Sequence, residues 1–371
     1  MTTGKLSTGY EFLPDHVAFH RMVIPYLPLD QAIETIQARA GYIPVAIDPA
    51  GEGRIYWANL SDRPLREWQF LYSVNSAVNS GGVDAFSTDM QILNIQDVVT
   101  DSAPVRGLVF HISRCGSTLL GKCLAACPNY LVINQGGPLQ RGFWAWATRD
   151  FKESLPTGKP YQDMFRRLVA AMARRRGQDY EAAFVKFISW NTLYLDFIRN
   201  AFPNVPALFM YRDPIEVIAA VQAETTAALL AKGTEQARFL TQCSPAETAA
   251  MSDVQYLTKC YQGYFRAALS AKGLPFLNYS ELKRDHLRDI LRLGLGLTPG
   301  HGRLVAMTRP FDVHSKDDTG QTAFKDDRAR KQEALAESDR RLIHDDLGDD
   351  YQKLEQSPTN LRSLIGQSLR V

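Results

Sequence analysis

Ser113-Arg114-Cys115-Gly116-Ser117-Thr118 is the segment of this chain whose residue types and spacing most plainly do chemistry. Gly116 lets backbone approach a ligand closely, Ser117 and Thr118 bring hydroxyl donors, and Arg114 brings a planar positive fork. Such a set binds an anion, and the chemistry it points to is recognition of a phosphate or sulfate ester. The positioning elements are readable on either side. An apolar run (Leu108, Val109, Phe110, Ile112) precedes the segment, and Leu119, Leu120, Cys123, Leu124 and Cys127 follow at helical spacing. This is a strand, a tight turn and a helix start, where unpaired N–H groups and a positive dipole end favour negative charge.

Two registers compete. Gly116 to Cys123 spells G-x-x-x-x-G-K-C, one residue away from the nucleoside-triphosphate loop G-x-x-x-x-G-K-[ST]. Cys123 then stands where Mg²⁺ needs a hard oxygen. That register also puts Leu119 and Leu120 inside a phosphate cradle, where apolar side chains gain little. The other starts the helix at about Ser117 and buries both leucines, and it is preferred.

Arg114-Cys115-Gly116-Ser117-Thr118-Leu119-Leu120 resembles the 5′-phosphosulfate loop of sulfotransferases that use 3′-phosphoadenosine-5′-phosphosulfate (PAPS). A second segment, Val205 to Val221, is an apolar strand ending in Tyr211-Arg212-Asp213-Pro214 and then a helix; it resembles the same family's 3′-phosphate segment. Ala183 to Trp190 resembles the strand carrying the family's catalytic lysine, here Lys186. Leu274 to Leu282 resembles the strand before the last core helix. His314-Ser315-Lys316 and Phe324-Lys325-Asp326-Asp327 resemble the closing C-terminal segment. The resemblance spans roughly residues 104 to 355. It implies PAPS as donor, adenosine 3′,5′-bisphosphate as product, and a nucleotide site built on Arg114, Cys115, Gly116, Ser117, Thr118, Leu119 and Arg212.

The chain departs from that pattern at three places. Ala220 stands where the 3′-phosphate segment has a serine, so the site leans on Arg212 and a second cation, Lys316 first and Lys325 next; a hydroxyl restored at 220 is expected to add a donor at a helix start. Ile188 stands where cytosolic members have a catalytic histidine. Gln135 aligns with a glutamate that many bacterial members use, and an amide is no general base. His111, on the strand before the loop, and His314 are the remaining candidates for the base. Lys186 either reaches the cleft and stabilises the transferring group or is a solvent-facing strand residue.

Composition bounds the rest. With 371 residues and 45% hydrophobic content, the chain can form one large core plus a smaller module. Its 42 basic and 40 acidic residues give a net charge of +2, which excludes recruitment of nucleic acid or membrane by a global field. Arg174-Arg175-Arg176 reads as a solvated helix face. No run reaches the length of a membrane span, and the first residues lack a signal pattern. Five cysteines without a CxxC pair fit a reducing cytoplasm. Cys123 and Cys127 fall on the apolar helix face as core thiols. Cys115, at a helix start beside Arg114, is expected to have a lowered pKa and to be open to oxidation. No metal is expected, since His16 and His20 lack the glutamate of a zinc motif.

Residues 1–103 read as a small N-terminal α+β module. An apolar run covers Val17 to Ile24, helices fall at about Leu29 to Ala40 and Pro64 to Ala77, and a strand pair lies within Tyr42 to Leu60. The polar stretch Gln96 to Pro104 marks the boundary. From there to residue 371, short apolar strands alternate with helices. That pattern is a three-layer α/β fold of the P-loop type, a parallel sheet flanked by helices with a C-terminal flap and helix. The acceptor is expected to be small or lipid-like, bordered by the Ala/Thr-rich segment from Glu224 to Ala250 and by Phe143, Trp144 and Trp146. The N-terminal module either covers that pocket or pairs two subunits.

Overall fold

The computed structural model describes residues 24–80, 82–312 and 334–368, the last three by backbone alone. The apolar run expected from residue 17 therefore lies almost wholly outside the described residues, as do His16 and His20. Elements in the first half are α1 (Leu29–Ala38), β1 (Tyr42–Asp48), β2 (Arg54–Asn59), α2 (Phe70–Asn79), β3 (Ala85–Asp89), β4 (Val105–His111), α3 (Ser117–Ala125), β5 (Tyr130–Asn134), α4 (Phe143–Ala147), α5 (Lys159–Met172) and β6 (Ala182–Lys186). Next come α6 (Leu195–Ala201), β7 (Ala207–Tyr211), α7 (Pro214–Ala223), α8 (Ala227–Leu230), α9 (Glu235–Thr241), α10 (Pro245–Ala250) and α11 (Asp253–Ser270). β8 (Phe276–Asn278), α12 (Leu287–Leu295), α13 (His301–Thr308) and helices at Glu337–Gln356 and Leu361–Ser368 follow. The fold is α/β: β4 to β8 form a five-stranded parallel sheet flanked by helices, and β1 to β3 form a small antiparallel sheet. α2 begins at Phe70, six residues later than expected from Pro64, because Pro64 to Gln69 runs as an irregular connection.

The chain packs as two compact units that are interleaved along the sequence. The first comprises Met1–Arg106, Pro128–Lys186 and Asn200–Pro203. In it, β2 pairs antiparallel with β1 (Ile43↔Ala58) and β3 (Trp57↔Phe86), around the buried rings of Tyr42, Trp57 and Phe86. β5 and β6 run parallel and bring Asn134 opposite Lys186. Phe143, Trp144 and Phe165 fill a second apolar centre, with Trp144 and Phe165 rings 5.1 Å apart. The arginine run past α5 is not a solvated face. Arg174 is buried, paired with Asp101 at 2.7 Å and donating to the Ile36 carbonyl at 3.0 Å; Arg176 is buried and donates to the Arg63 carbonyl at 2.6 Å. The Ile36 carbonyl lies in the last turn of α1 and the Arg63 carbonyl in an irregular connection; both need donors, which a guanidinium supplies several at a time.

The second unit comprises Gly107–Cys127, Phe187–Arg199 and Asn204–Val371. β4 pairs parallel with β7 (Val109↔Leu208), and β7 with β8 (Met210↔Leu277). β7 is buried throughout, which is why it reads as an unbroken apolar run instead of an alternating one. Its last residue, Tyr211, donates to Glu355 Oε1 at 2.5 Å and accepts from Asn360 Nδ2 at 2.6 Å. Asn278 at the end of β8 donates to the same carboxylate oxygen at 2.5 Å. The last two helices are thus tied to the strand ends by a small polar network. Burial, then Glu355, pushes the Tyr211 phenol well above its ordinary pKa, so it stays a donor. Tyr211→Phe should lower stability by about 2 kcal/mol, as expected when a hydrogen bond to a charged group is lost. Urea denaturation would measure this, and a shift below about 0.5 kcal/mol would mean the network does not hold the helices.

Candidate functional site

In the second unit the β4–α3 turn forms a compact loop. Ser113 (φ 68), Arg114 (φ 47) and Gly116 (φ 79) all adopt the left-handed conformation. Two of them carry side chains, a strained arrangement that persists only where the surroundings impose it. Three contacts do so. The Ser113 N–H donates to His111 Nδ1 at 3.0 Å, the Cys115 thiol donates to the Met210 carbonyl at 3.4 Å, and Gly116 lies against Tyr279 and Leu282. A Cβ at Gly116 would fall 2.7 Å from the Tyr279 ring and 2.8 Å from Leu282.

α3 starts at Ser117, and Gly116, its N-cap, has no side chain to bond the first amides. The residues that would form the cradle of a triphosphate loop, Ser117 to Gly121, are helical, as the preferred register expects. Leu120 is buried, as are Cys123, Leu124 and Cys127. Leu119 is only half-buried, so one leucine, not two, anchors the turn. Cys115 is fully buried, which removes it from solvent oxidants and corrects the expectation of a reactive thiol. Ser117 is buried and Thr118 half-buried at the helix start.

Arg114 donates from Nη1 to the Glu224 carboxylate and from Nη2 to the Glu224 carbonyl, each at 2.7 Å. Arg212 follows β7, donates from Nε to Glu216 at 2.5 Å and lies over the Tyr279 ring with its guanidinium carbon 4.5 Å from the centroid. Its Nη1 donates to the Arg114 carbonyl at 3.4 Å. Two segments 98 positions apart therefore meet at one loop. Asp213 caps α7, accepting from the Ile215 N–H at 2.8 Å, while burial raises its pKa. Glu216 sits in the first turn of that helix, where a negative charge is favoured. The Arg212–Glu216 pair is buried, with 7% and 8% of the side chains exposed; the Glu224 side chain is 64% exposed.

Ala220 lies in the last turn of α7, not at a helix start, and is buried. A serine there adds no donor at a helix start, contrary to the expectation for Ala220→Ser. His111 is buried, and because its Nδ1 accepts from Ser113, the neutral ring holds its proton on Nε2. A ring in that state donates at Nε2 and does not take a proton there.

The first unit holds the other candidates. Lys186 is buried at the end of β6, which removes the solvent-facing reading. Gln135 follows β5 with φ 52, donates its N–H to the Lys186 carbonyl at 2.7 Å and accepts from Gln69 Nε2 at 2.7 Å. Trp146 lines a 900 Å³ cleft with Asp48, Glu52, Arg141, Asp150 and Tyr161, whereas Phe143 and Trp144 are core. Lys316, Lys325 and His314 lie outside the described residues. Among the described residues no three His, Cys, Asp or Glu side chains cluster as metal ligands, and no helix is long and apolar enough to cross a membrane.

Three residues around the loop carried no sequence signal: Glu216, Glu224 and Tyr279. Tyr279 stood within a recognised strand end, but nothing linear joined it to Arg212.

The sequence matches no protein-family model and no curated protein. Solved structures similar to the chain include the following three. One is a sulfotransferase, STF9, from Mycobacterium avium: 12% identity over 74% of this chain and 80% of that one, TM-score 0.39. Another is the sulfotransferase domain from the curacin biosynthetic pathway: 12% identity, 67% and 98% coverage, TM-score 0.38. The third is the sulfotransferase domain of the Synechococcus PCC 7002 olefin synthase: 15% identity, 66% and 96% coverage, TM-score 0.34.

Gly116→Ala combines a disfavoured φ with a clash against Tyr279 and should cost about 2 kcal/mol or more. It should also lose anion binding, read by calorimetry with inorganic sulfate. Wild-type stability in this variant would contradict the loop geometry.

Proposed function

We propose that this chain is a sulfotransferase that uses PAPS as donor and a hydroxyl or amine of a small or lipid-like molecule as acceptor. One observation carries the reading: the Arg114 loop and the Arg212 turn, the two segments that resemble the family's 5′ and 3′ signatures, are joined through the Arg212 to Arg114 hydrogen bond. The loop suits the donor's 5′ end, since it combines uncapped amides, a glycine with no room for a Cβ, and a guanidinium. The 3′ end is less fully provided for, because Ala220 offers no hydroxyl and Arg212 is engaged by Glu216.

When bound, the donor supplies an activated sulfuryl group; the protein's part is positioning and charge stabilisation. Arg114 and the first amides of α3 hold the 5′ oxygens and offset charge on the leaving bisphosphate. Arg212 holds the 3′-phosphate, with Lys316 and Lys325 as second cations. Lys186 is assigned to the transferring group by the resemblance. Gln135, a neutral amide tied to Gln69, favours a second reading in which nucleotide binds without transfer.

Thermal shifts with adenosine 3′,5′-bisphosphate, PAPS and Mg·ATP test the proposal. A ligand at 100 times its Kd adds about 2.7 kcal/mol. Stabilisation by the bisphosphate followed by sulfuryl transfer to an acceptor panel supports it; binding without transfer selects the second reading, and a response to Mg·ATP alone defeats both. Transfer should persist in EDTA, because arginine carries the positive charge, and strict Mg²⁺ dependence would count against the register. Arg212→Ala removes one half of a buried ion pair, a loss of about 3–5 kcal/mol, so it is best combined with Glu216→Gln. The double variant should lose more affinity for the 3′,5′-bisphosphate than for the 5′-monophosphate. Equal losses would show that Arg212 does not read the 3′-phosphate.

A further inference from the structure

The first unit carries a cleft that the proposed reaction does not use. It holds about 900 Å³, within the roughly 300–1,000 Å³ typical of small-molecule sites. One wall is the β1–β2 turn, with Asp48 and Glu52. The other is α4 and the chain after it, with Trp146, Arg149 and Asp150, joined by Tyr161 from the first turn of α5. Both rings are positioned by the fold. The Trp146 indole donates from Nε1 to the Glu52 carbonyl at 2.9 Å, and Gly53 packs so closely that a Cβ there would fall 2.3 Å from the ring. The Tyr161 ring lies 5.8 Å from the indole at an interplanar angle of 38°.

The charges along the cleft do not cancel. Arg141 pairs with Asp150, and Arg149 pairs with Glu153 at 3.2 Å, so both guanidiniums of the lining are engaged by carboxylates. Asp48 and Glu52 have no ion-pair partner among the described residues; Asp48 accepts only the Ala50 N–H, at 3.0 Å. Two uncompensated negative charges therefore stand beside two aromatic rings. The wall opposite the turn is also strained. Arg149 (φ 49), Asp150 (φ 59) and Phe151 (φ 63) are three consecutive left-handed residues with side chains. The Asp150 N–H holds them by donating to the Ala145 carbonyl at 2.6 Å, the Phe151 N–H by donating to Thr148 Oγ1 at 3.0 Å. Strain of this kind gathers at ligand sites, where a wall must take one shape.

We propose that this cleft is a second ligand site that takes an organic cation: an ammonium or quaternary ammonium group received by the Trp146 and Tyr161 rings and the Asp48 and Glu52 carboxylates. The rings attract the cation through their quadrupoles, and the carboxylates add direct charge attraction. An organic anion fits poorly, because the arginines are already paired. The proposal goes beyond the donor reading and does not depend on it.

Calorimetry with tetraethylammonium chloride at constant ionic strength tests it, with sodium benzoate as the opposite charge. Wild type should bind the cation and not benzoate. Asp48→Asn combined with Glu52→Gln keeps the side-chain shapes and removes both charges. It should weaken the cation at least about fivefold, with the urea midpoint unchanged because no ion pair is broken. Tyr161→Leu keeps an apolar body without the π face and should weaken the cation about threefold. No binding of tetraethylammonium by wild type, or benzoate bound as tightly as the cation, overturns the proposal. So does affinity within about twofold of wild type in either variant, since the site needs charge and ring together. If one variant fails to fold, the other decides. Failure here leaves the donor reading intact, since no substituted residue belongs to the Arg114 loop.

Discussion

The reversal of the chain between β4 and α3 is the constraint on which the site depends. A parallel strand that ends in the sheet must turn into its helix within a few residues, and here the turn contains three left-handed residues. Gly116 makes it feasible, because only a residue without a Cβ fits against Tyr279 and Leu282 at that φ. The strain at Ser113 and Arg114 is then held by bonds to His111 and Glu224 and by the buried Cys115 beneath. One consequence is that Arg114 lies within the turn that leads into the uncapped start of α3. Another is that His111, at the end of β4, is committed as an acceptor to the loop backbone.

The two arginines of the loop are balanced differently. Arg212 and Glu216 are both out of water, so their pairing offsets a desolvation cost that neither could bear alone. The Tyr279 ring, at cation–π distance, lines the same charge. Arg114 is paired with a carboxylate that is mostly exposed and costs little to release into water. The Arg212–Glu216 pair is therefore costly to separate, while the Glu224 carboxylate can leave Arg114 at little cost. α7 connects them, with Arg212 before its first turn and Glu224 just past its last.

Several polar residues of this chain hold backbone at element ends and in connections. Arg174 and Arg176 look like a solvent-facing basic run in the sequence, yet they satisfy carbonyls at segment ends. Gln135 accepts from Gln69 and sits at a left-handed position after β5. Tyr211, Asn278, Asn360 and Glu355 join the last helices to the strand ends that present Arg212.

What the sequence by itself determined is the local part. Continuous apolar runs specified β4 and β7 because strands buried on both faces have no alternation to show, and the glycine with its hydroxyl neighbours specified the turn and the helix start at Ser117. The β4–α3 loop was legible because its residues are consecutive. Tertiary structure decided which distant groups join it. Glu216, Glu224 and Tyr279 carry no linear signal, since their place comes from pairing with charge or with the loop, and that depends on strand order and helix packing. The same holds for the misread positions. Burial turned Cys115 from a reactive thiol into a core contact, and the length of α7 placed Ala220 in its last turn. Spacing along the chain reports periodicity and turn chemistry, but the loss of water around a side chain is set by everything that packs over it.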